Sequence, residues 1–169
     1  DPAVEQRTGK IIRAVGQHGD KALLQFTEKF DGAKLTPRRL RVTPTELNQG
    51  WASINSRTRK AIRLAKANVT FFARQSLRKR WQARNPQGGL VGEKFDPFQR
   101  VGVYIPGGTA PLASTTLMTV TLAKVAGCRE IVACTPCDSD GRVNTALLAA
   151  LGQAGATEVY RVGGAQAIA

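Results

Sequence analysis

Two glycine pairs, Gly107-Gly108 and Gly163-Gly164, are the residues whose type and position best suit binding chemistry. Each pair directly follows or closely follows a short apolar run. Because glycine has no Cβ, the backbone of such a turn can adopt φ > 0 and lie directly against a ligand. A helix that follows the turn points its N-terminal N–H groups and its positive dipole end at an anion such as a pyrophosphate. The pairs therefore predict a nucleotide site.

The spacing around the first pair leaves a second interpretation open. Residues 106–111 read Pro-Gly-Gly-Thr-Ala-Pro, which is not the G-x-G-x-x-G fingerprint of dinucleotide-binding folds. A tight strand-to-helix turn without any ligand explains this stretch equally well. Two such turns on one edge of a sheet are more specific than either alone. Gln166 lies in the first turn of the helix predicted after the second pair, where its amide can reach a ligand.

The elements around these turns have the pattern of a parallel βαβ sheet. Apolar runs at residues 101–105, 131–134 and 158–162 are typical of buried strands, and helical spacing at residues 114–126 and 143–153 separates them. In such sheets, ligands bind at the carboxyl ends of the strands. We therefore predict an α/β fold whose binding edge carries both glycine pairs.

The first hundred residues are predicted to be mainly helical. Helical spacing over residues 4–26 is broken at Gly19-Asp20, which predicts two helices with Asp20 as the cap of the second. Further elements are predicted downstream: a short strand at residues 40–42, a helix capped by Thr43 or Thr45, a long helix over residues 56–75, and a glycine-rich loop or hairpin at residues 88–98. A boundary near residues 96–100 divides the chain into segments 1–100 and 101–169.

Catalytic and metal-binding constellations are scarce in this sequence. Cys134 and Cys137 form a C-x-x-C pattern, which is typical of thioredoxin-like redox sites but also arises from two unrelated thiols. The spacing of Cys128 from these two is not a standard zinc pattern, and the one histidine, His18, lies far away in the sequence. We therefore assign no catalytic residue and no metal ligand.

The charge of the chain allows two interpretations. The 169 residues carry a formal net charge of +13, with Lys and Arg clustered at residues 38–41, 57–66 and 74–84. Such clusters bind phosphate backbones through counterion release. They are more often solvated helix faces, and with only two tryptophans for base stacking we expect no nucleic-acid partner.

Composition points to a globular protein of the cytoplasm. Hydrophobic residues make up 42% of the chain, no apolar run approaches the ~18 residues of a membrane span, and no signal peptide is visible. The three cysteines are an odd number, which fits a reducing compartment.

Several long segments resemble the histidinol dehydrogenase family. They are VGVYIPGGTAPLASTTLM (residues 101–118), VAGCREIVACTP (125–136), VYRVGGAQAIA (159–169), GDKALLQFTEKFDG (19–32) and IRLAKANVTFF (62–72). The resemblance covers nearly the whole chain and keeps the order of the family. Family members are more than twice as long, so the resemblance implies an N-terminal portion whose C-terminal half is absent.

The resemblance implies a specific chemistry. The family oxidises L-histidinol to L-histidine through the aldehyde in two NAD-dependent hydride transfers, with a zinc ion that positions the substrate. It implies that Tyr104 and Gln166 face the NAD, and that the zinc ligands and proton-transfer residues lie beyond the matched segments. It also implies a homodimer and two incomplete Rossmann-like domains, the first completed by later sequence. The chain alone is then expected to be inactive. The alternative is a non-catalytic basic binding protein built on the truncated fold.

Overall fold

The computed structural model describes residues 1–107 and 111–169 of the chain. These residues form a mainly helical first half, followed by alternating strands and helices. The helices are α1 (Pro2–His18), α2 (Asp20–Asp31), α3 (Pro37–Leu40), α4 (Pro44–Ser53), α5 (Ser56–Ser76), α6 (Ala113–Ala126) and α7 (Thr145–Ala154). The strands are β1 (Trp81–Arg84), β2 (Leu90–Glu93), β3 (Arg100–Tyr104), β4 (Glu130–Thr135) and β5 (Glu158–Arg161), and a 3₁₀ turn spans Ala165–Ala167.

The last three strands form a parallel sheet in the order β3-β4-β5. Val101 pairs with Ile131 in its register, and Ala133 pairs with Val159. α6 joins β3 to β4 and α7 joins β4 to β5, since parallel neighbours need a crossover connection. The predicted α/β fold with parallel βαβ units is therefore confirmed.

The main core lies between one face of this sheet and the two crossover helices. Ile131 and Val159 of the strands are fully buried against apolar side chains of α6 and α7, among them Val120 and Leu151. Burial of this apolar surface is the dominant favourable term in folding. It holds the carboxyl ends of the three strands side by side.

A second layer of helices covers the first. α4 packs against α7, and α5 packs against α6. α4 can approach α7 closely because Gly50 has no Cβ: one added there would lie only 2.7 Å from the Cβ of Leu148. Ile62 of α5 belongs to the same buried cluster as Ile131 of the sheet. The core thus runs across residue 100, and the division into segments 1–100 and 101–169 stays a prediction.

Several predicted boundaries are confirmed, and four local predictions are wrong. Thr43 caps α4, as one of the two predicted candidates. α2 is preceded by Gly19, with φ of 52°, rather than capped by the Asp20 side chain. The predicted strand at residues 40–42 is the end of α3 followed by one bridge between Arg41 and Tyr160. The hairpin begins at Trp81, ahead of residues 88–98, and the helix predicted after residue 164 is a single 3₁₀ turn.

A buried arginine ties the N-terminal half to the sheet. Arg161 ends β5, and only 5% of its surface is exposed. Its guanidinium donates to the backbone carbonyls of Arg39 at 2.9 Å and Arg41 at 3.0 Å, and it forms an ion pair with Glu46. Glu46 also completes a capping box with Thr43 at the start of α4. One side chain therefore fixes both the segment around α3 and the orientation of α4.

The carboxylate of Glu46 is stabilised in its charged form. Burial works to raise its pKa, but hydrogen bonds from the Thr43 backbone N–H and hydroxyl, together with the Arg161 guanidinium, lower the pKa below its ordinary value. A group whose pKa is lowered on folding contributes stability above its unfolded pKa and loses that contribution as the pH falls.

We expect Glu46→Gln to lower the free energy of unfolding by about 2 kcal/mol at pH 7, because the buried Arg161 guanidinium loses its counter-charge. The effect is moderate because Glu46 itself is partly exposed to solvent. The difference between the parent and the variant should shrink as the pH falls below about 4.3, the ordinary glutamate pKa. Denaturant unfolding at pH 7 and pH 3 measures both. Asp96→Asn is the matched control, since its ion pair with Lys94 is solvent-exposed. An effect of Glu46→Gln no larger than that of the control at pH 7 would contradict the role of this pair.

Candidate functional site

A cleft of about 660 Å³ opens at the carboxyl edge of the parallel sheet. This volume lies in the range of small-molecule and cofactor sites. Its walls come from the segments that follow β3, β4 and β5, from the first turns of α6 and α7, and from the end of α2. Its lining includes Asp31, Tyr104, Gly107, Leu112, Thr135, Cys137, Arg142, Asn144 and Gly164.

Tyr104 links the two predicted glycine turns. It is the last residue of β3, and its hydroxyl accepts a hydrogen bond from the backbone N–H of Gly164 at 3.1 Å. Gly107 and Gly164 line the same cleft, and Gly163 is buried beside them. Gly108 lies outside the described residues. The structure thus brings the described glycines to one edge of the sheet, as the sequence predicts.

Pro136, which follows β4, accounts for two of these glycines without any ligand. A Cβ added at Gly107 would overlap the Pro136 ring. One added at Gly163 would lie 2.7 Å from the Pro136 Cβ and 3.3 Å from its Cα. Both turns therefore need glycine to pack on this proline. Close packing explains these two positions as well as a ligand does, so a binding role for their glycines stays a prediction.

Gln166 lies behind the cleft rather than in its wall. Its side chain is only 2% exposed, and both its amide oxygen and its amide nitrogen lack a hydrogen-bond partner. Gly164, at φ 62° and ψ −164°, covers it, and a Cβ added there would lie 2.7 Å from the Gln166 Oε1. Contact with a ligand requires this side chain or the Gly164 turn to move. The role of Gln166 stays a prediction.

The first turn of α6 makes one side of the cleft suitable for a phosphate group. α6 begins after Leu112, a residue with no side-chain oxygen to accept from the first N–H groups of the helix. α7 differs, because the Asn144 side chain accepts from its first N–H groups. Arg142 adds a positive charge to the wall and pairs with Asp140 at 3.4 Å. This side of the cleft therefore offers backbone N–H groups and a cationic side chain, which suit an anionic group such as a phosphate.

One acidic residue of the cleft was not singled out by the sequence analysis. Asp31 ends α2, and burial raises the pKa of its carboxyl group. Its oxygen Oδ2 is buried without a hydrogen-bond partner. The only sequence signal is its position at the end of an amphipathic helix, just before Gly32, and this signal does not reveal that the helix ends at a cleft formed by residues 104–164.

The two cysteines of the C-x-x-C pattern do not have the electrostatics of a redox site. Burial raises the pKa of the Cys134 thiol. Burial and the neighbouring charge of Asp31 raise the pKa of Cys137 to about 11, although Arg161 partly offsets them. Thioredoxin-like motifs depend on a lowered thiol pKa. The structure therefore favours two separate thiols over a redox pair.

Residues 1–169 match the sequence model of a family described as histidinol dehydrogenase. The chain belongs to the histidinol dehydrogenase family. It is 42% identical to a histidinol dehydrogenase of Symbiobacterium thermophilum over 167 residues, and 43% identical to one of a Synechococcus strain over 172 residues. These matches cover 99% and 100% of this chain but 38% and 40% of the relatives. The chain thus spans about two fifths of their length.

The fold agrees with this family assignment. The crystal structure of histidinol dehydrogenase from Elizabethkingia anophelis superposes with a TM-score of 0.91 at 33% sequence identity, over 98% of this chain and 38% of that one. The resemblance seen in the sequence, including its restriction to part of the family's length, is confirmed.

Metal ligands are not gathered in the part of the chain that the structure describes. Residues 1–107 and 111–169 contain no group of three or more His, Cys, Asp or Glu side chains arranged to hold a metal ion. These residues therefore do not fit a zinc site. Within the same residues, no helix combines the length and apolar character needed to cross a membrane.

We expect Gly164→Ala to destabilise the fold by about 2 kcal/mol, because a side chain there is strained at positive φ and collides with the Gln166 amide. Gly102→Ala is the matched control, since a Cβ at that position in β3 meets nothing within 4 Å. Thermal unfolding of both variants checks this. Equal melting temperatures would mean that the Gly164 turn relaxes without cost.

Proposed function

We propose that the gene product carrying this chain oxidises L-histidinol to L-histidine, and that this chain supplies one wall of its NAD site. The first oxidation turns the alcohol into the aldehyde, passing one hydride to NAD and releasing one proton. The second turns the aldehyde and one water into the carboxylate, passing one hydride to a second NAD and releasing two protons; the water supplies the second carboxylate oxygen. The observation that supports the proposal most directly is a cleft in which a hydrogen bond connects Tyr104, at the end of β3, to Gly164, after β5, in a chain of this family.

In this proposal, residues in and beside the cleft contribute to NAD binding in different ways. Tyr104 is held by its hydroxyl, so its ring offers a fixed aromatic face to the cofactor. Gly107, Gly108, Gly163 and Gly164 let the backbone approach closely. NAD, when bound, serves as the hydride acceptor. Gln166 adds an amide whose two hydrogen-bonding atoms are free to pair with the cofactor once its side chain turns.

Zinc and the proton-transfer residues belong to other parts of the gene product in this proposal. The described residues offer no metal cluster, and the lone His18 ends α1, a helix whose residues are absent from the cleft wall. The substrate would therefore be positioned by groups outside this chain. In this proposal, the cleft of this chain binds the cofactor, while segments outside this chain hold the substrate.

The homodimer expected from the resemblance has a candidate surface on α5. Phe71 and Phe72 are 70% and 68% exposed, although the opposite side of the helix is buried against α6. A helix that is apolar on both sides is typical of one packed on both sides. We include a second subunit, or further sequence of the same subunit, in the proposal as the cover for this surface.

We expect Tyr104→Phe to weaken NAD binding about fivefold, the effect of losing one hydrogen bond, and Tyr104→Ala to weaken it more because the ring is also lost. The dissociation constant is measured by calorimetric titration of the gene product. Tyr160→Phe is the matched control: its hydroxyl donates to Glu158, near the opposite end of the strands. Unchanged NAD affinity in both Tyr104 variants would overturn the assignment of the cleft.

We also expect the 169-residue chain alone to form no NADH from L-histidinol, with or without added zinc, because its described residues lack a metal cluster and a histidine at the cleft. Absorbance at the NADH band follows the reaction. NADH formation that depends on added zinc would show that the chain contains the substrate site as well.

A further inference from the structure

Asp31 occupies an energetically unfavourable position at the wall of the cleft. Its carboxylate lines the opening, while Oδ2 is buried with no hydrogen-bond partner. It takes part in none of the ion pairs formed among the described residues. A Cβ placed on Gly163 would lie 3.4 Å from Oδ2, so the carboxylate sits against the second glycine pair.

Buried carboxylates normally have partners, because transfer of an unpaired charge out of water is costly. The raised pKa of Asp31 has burial as its one cause, with no opposing cation. Arg161, the buried cation in this region, donates through its two Nη atoms to Glu46 and to the Arg39 and Arg41 carbonyls, and it forms no ion pair with Asp31 among the described residues. The protein therefore leaves one carboxylate oxygen unpaired beside the cleft. Because Asp31 lines the cleft, a ligand with hydrogen-bond donors would compensate this cost by donating to the carboxylate, and it would reach Oδ2 once the side chain turns.

The amide of Gln166, beside the same glycine pair, also lacks hydrogen-bond partners among the described residues. Gln166 is almost fully buried, and its Oε1 and Nε2 atoms are unpartnered. A Cβ added at Gly164 would collide with the Gln166 amide, and one added at Gly163 would touch the Asp31 carboxylate. Two unsatisfied polar side chains from distant parts of the sequence thus flank one turn at the carboxyl edge of the sheet. Among residues 1–107 and 111–169, neither has a structural partner that explains its polarity.

We propose that Asp31 is a further ligand-binding residue of the cleft, and that its carboxylate accepts hydrogen bonds from the hydroxyl groups of a ribose of the dinucleotide. This inference rests on the proposed function and adds a residue to it. An ionised carboxylate only accepts hydrogen bonds, so it suits a diol and repels a phosphate. Acidic residues at the carboxyl edge of parallel nucleotide-binding sheets hold ribose hydroxyls in this way.

The test compares NAD binding by the parent gene product with that of Asp31→Ala and Asp31→Asn, by calorimetric titration. We expect Asp31→Ala to raise the dissociation constant about tenfold, since hydrogen bonds to a charged group are lost. Glu28→Gln is the matched control: it removes one negative charge from the same helix, at an exposed position. Titration with ADP-ribose and with nicotinamide mononucleotide identifies which ribose Asp31 contacts.

A second measurement separates a binding role from a structural one. Without NAD, Asp31→Asn should melt at the same temperature as the parent or higher, because it removes a buried unpaired charge while preserving volume. A structural role would lower the melting temperature and leave the affinity for NAD unchanged, and that result would overturn the inference. So would equal NAD affinity in the parent and Asp31→Ala. A parent that binds no NAD would overturn the proposed function, and this inference with it.

Discussion

The guanidinium of Arg161 is the interaction on which the arrangement of the cleft depends. It ends the last strand of the sheet and holds the carbonyls of Arg39 and Arg41 together with the carboxylate of Glu46. These carbonyls lie in and just after α3, which follows α2 along the chain, and the last residue of α2 is part of the cleft wall. In the other direction, three residues beyond Arg161, Gly164 meets the Tyr104 hydroxyl. One satisfied buried charge therefore sets the position of two walls.

The glycines of the two turns have more than one physical explanation, so the sequence alone does not show which one applies. Gly107 and Gly163 both pack on Pro136, while Gly164 combines a positive φ with contact to Gln166. Packing and ligand approach require the same residue type at these positions. The pattern P-G-G therefore predicts a tight turn at the end of a strand, but by itself it does not distinguish a binding turn from a packing turn. The unpaired polar atoms beside the turn are the observation on which the proposed binding role rests.

Local signals predicted the elements well, whereas features that depend on tertiary contact were missed. Thr43 and the glycines after α6 and α7 mark helix ends through hydrogen bonds within a few residues, so their sequence context is sufficient. Residues 40–42 were predicted as a strand because apolar alternation does not show that Arg41 forms only one bridge. Asp31 was missed for the same reason: its neighbour Gly163 is far away in the sequence.

Arg161 and Asp31 differ in whether the protein itself satisfies their polar atoms. Both lie near the end of β5. Arg161 is buried, and Asp31 is partly buried, with its Oδ2 atom out of contact with solvent. Arg161 has partners for most of its donors, so its burial specifies how the N-terminal half meets the sheet. Asp31 and Gln166 have none for their buried atoms, so their burial opposes folding. A fold retains such groups where something else satisfies them, and the adjoining cleft is where a ligand can do so. The unpaired atoms therefore carry more information about binding than the glycine motif that first drew attention to this edge.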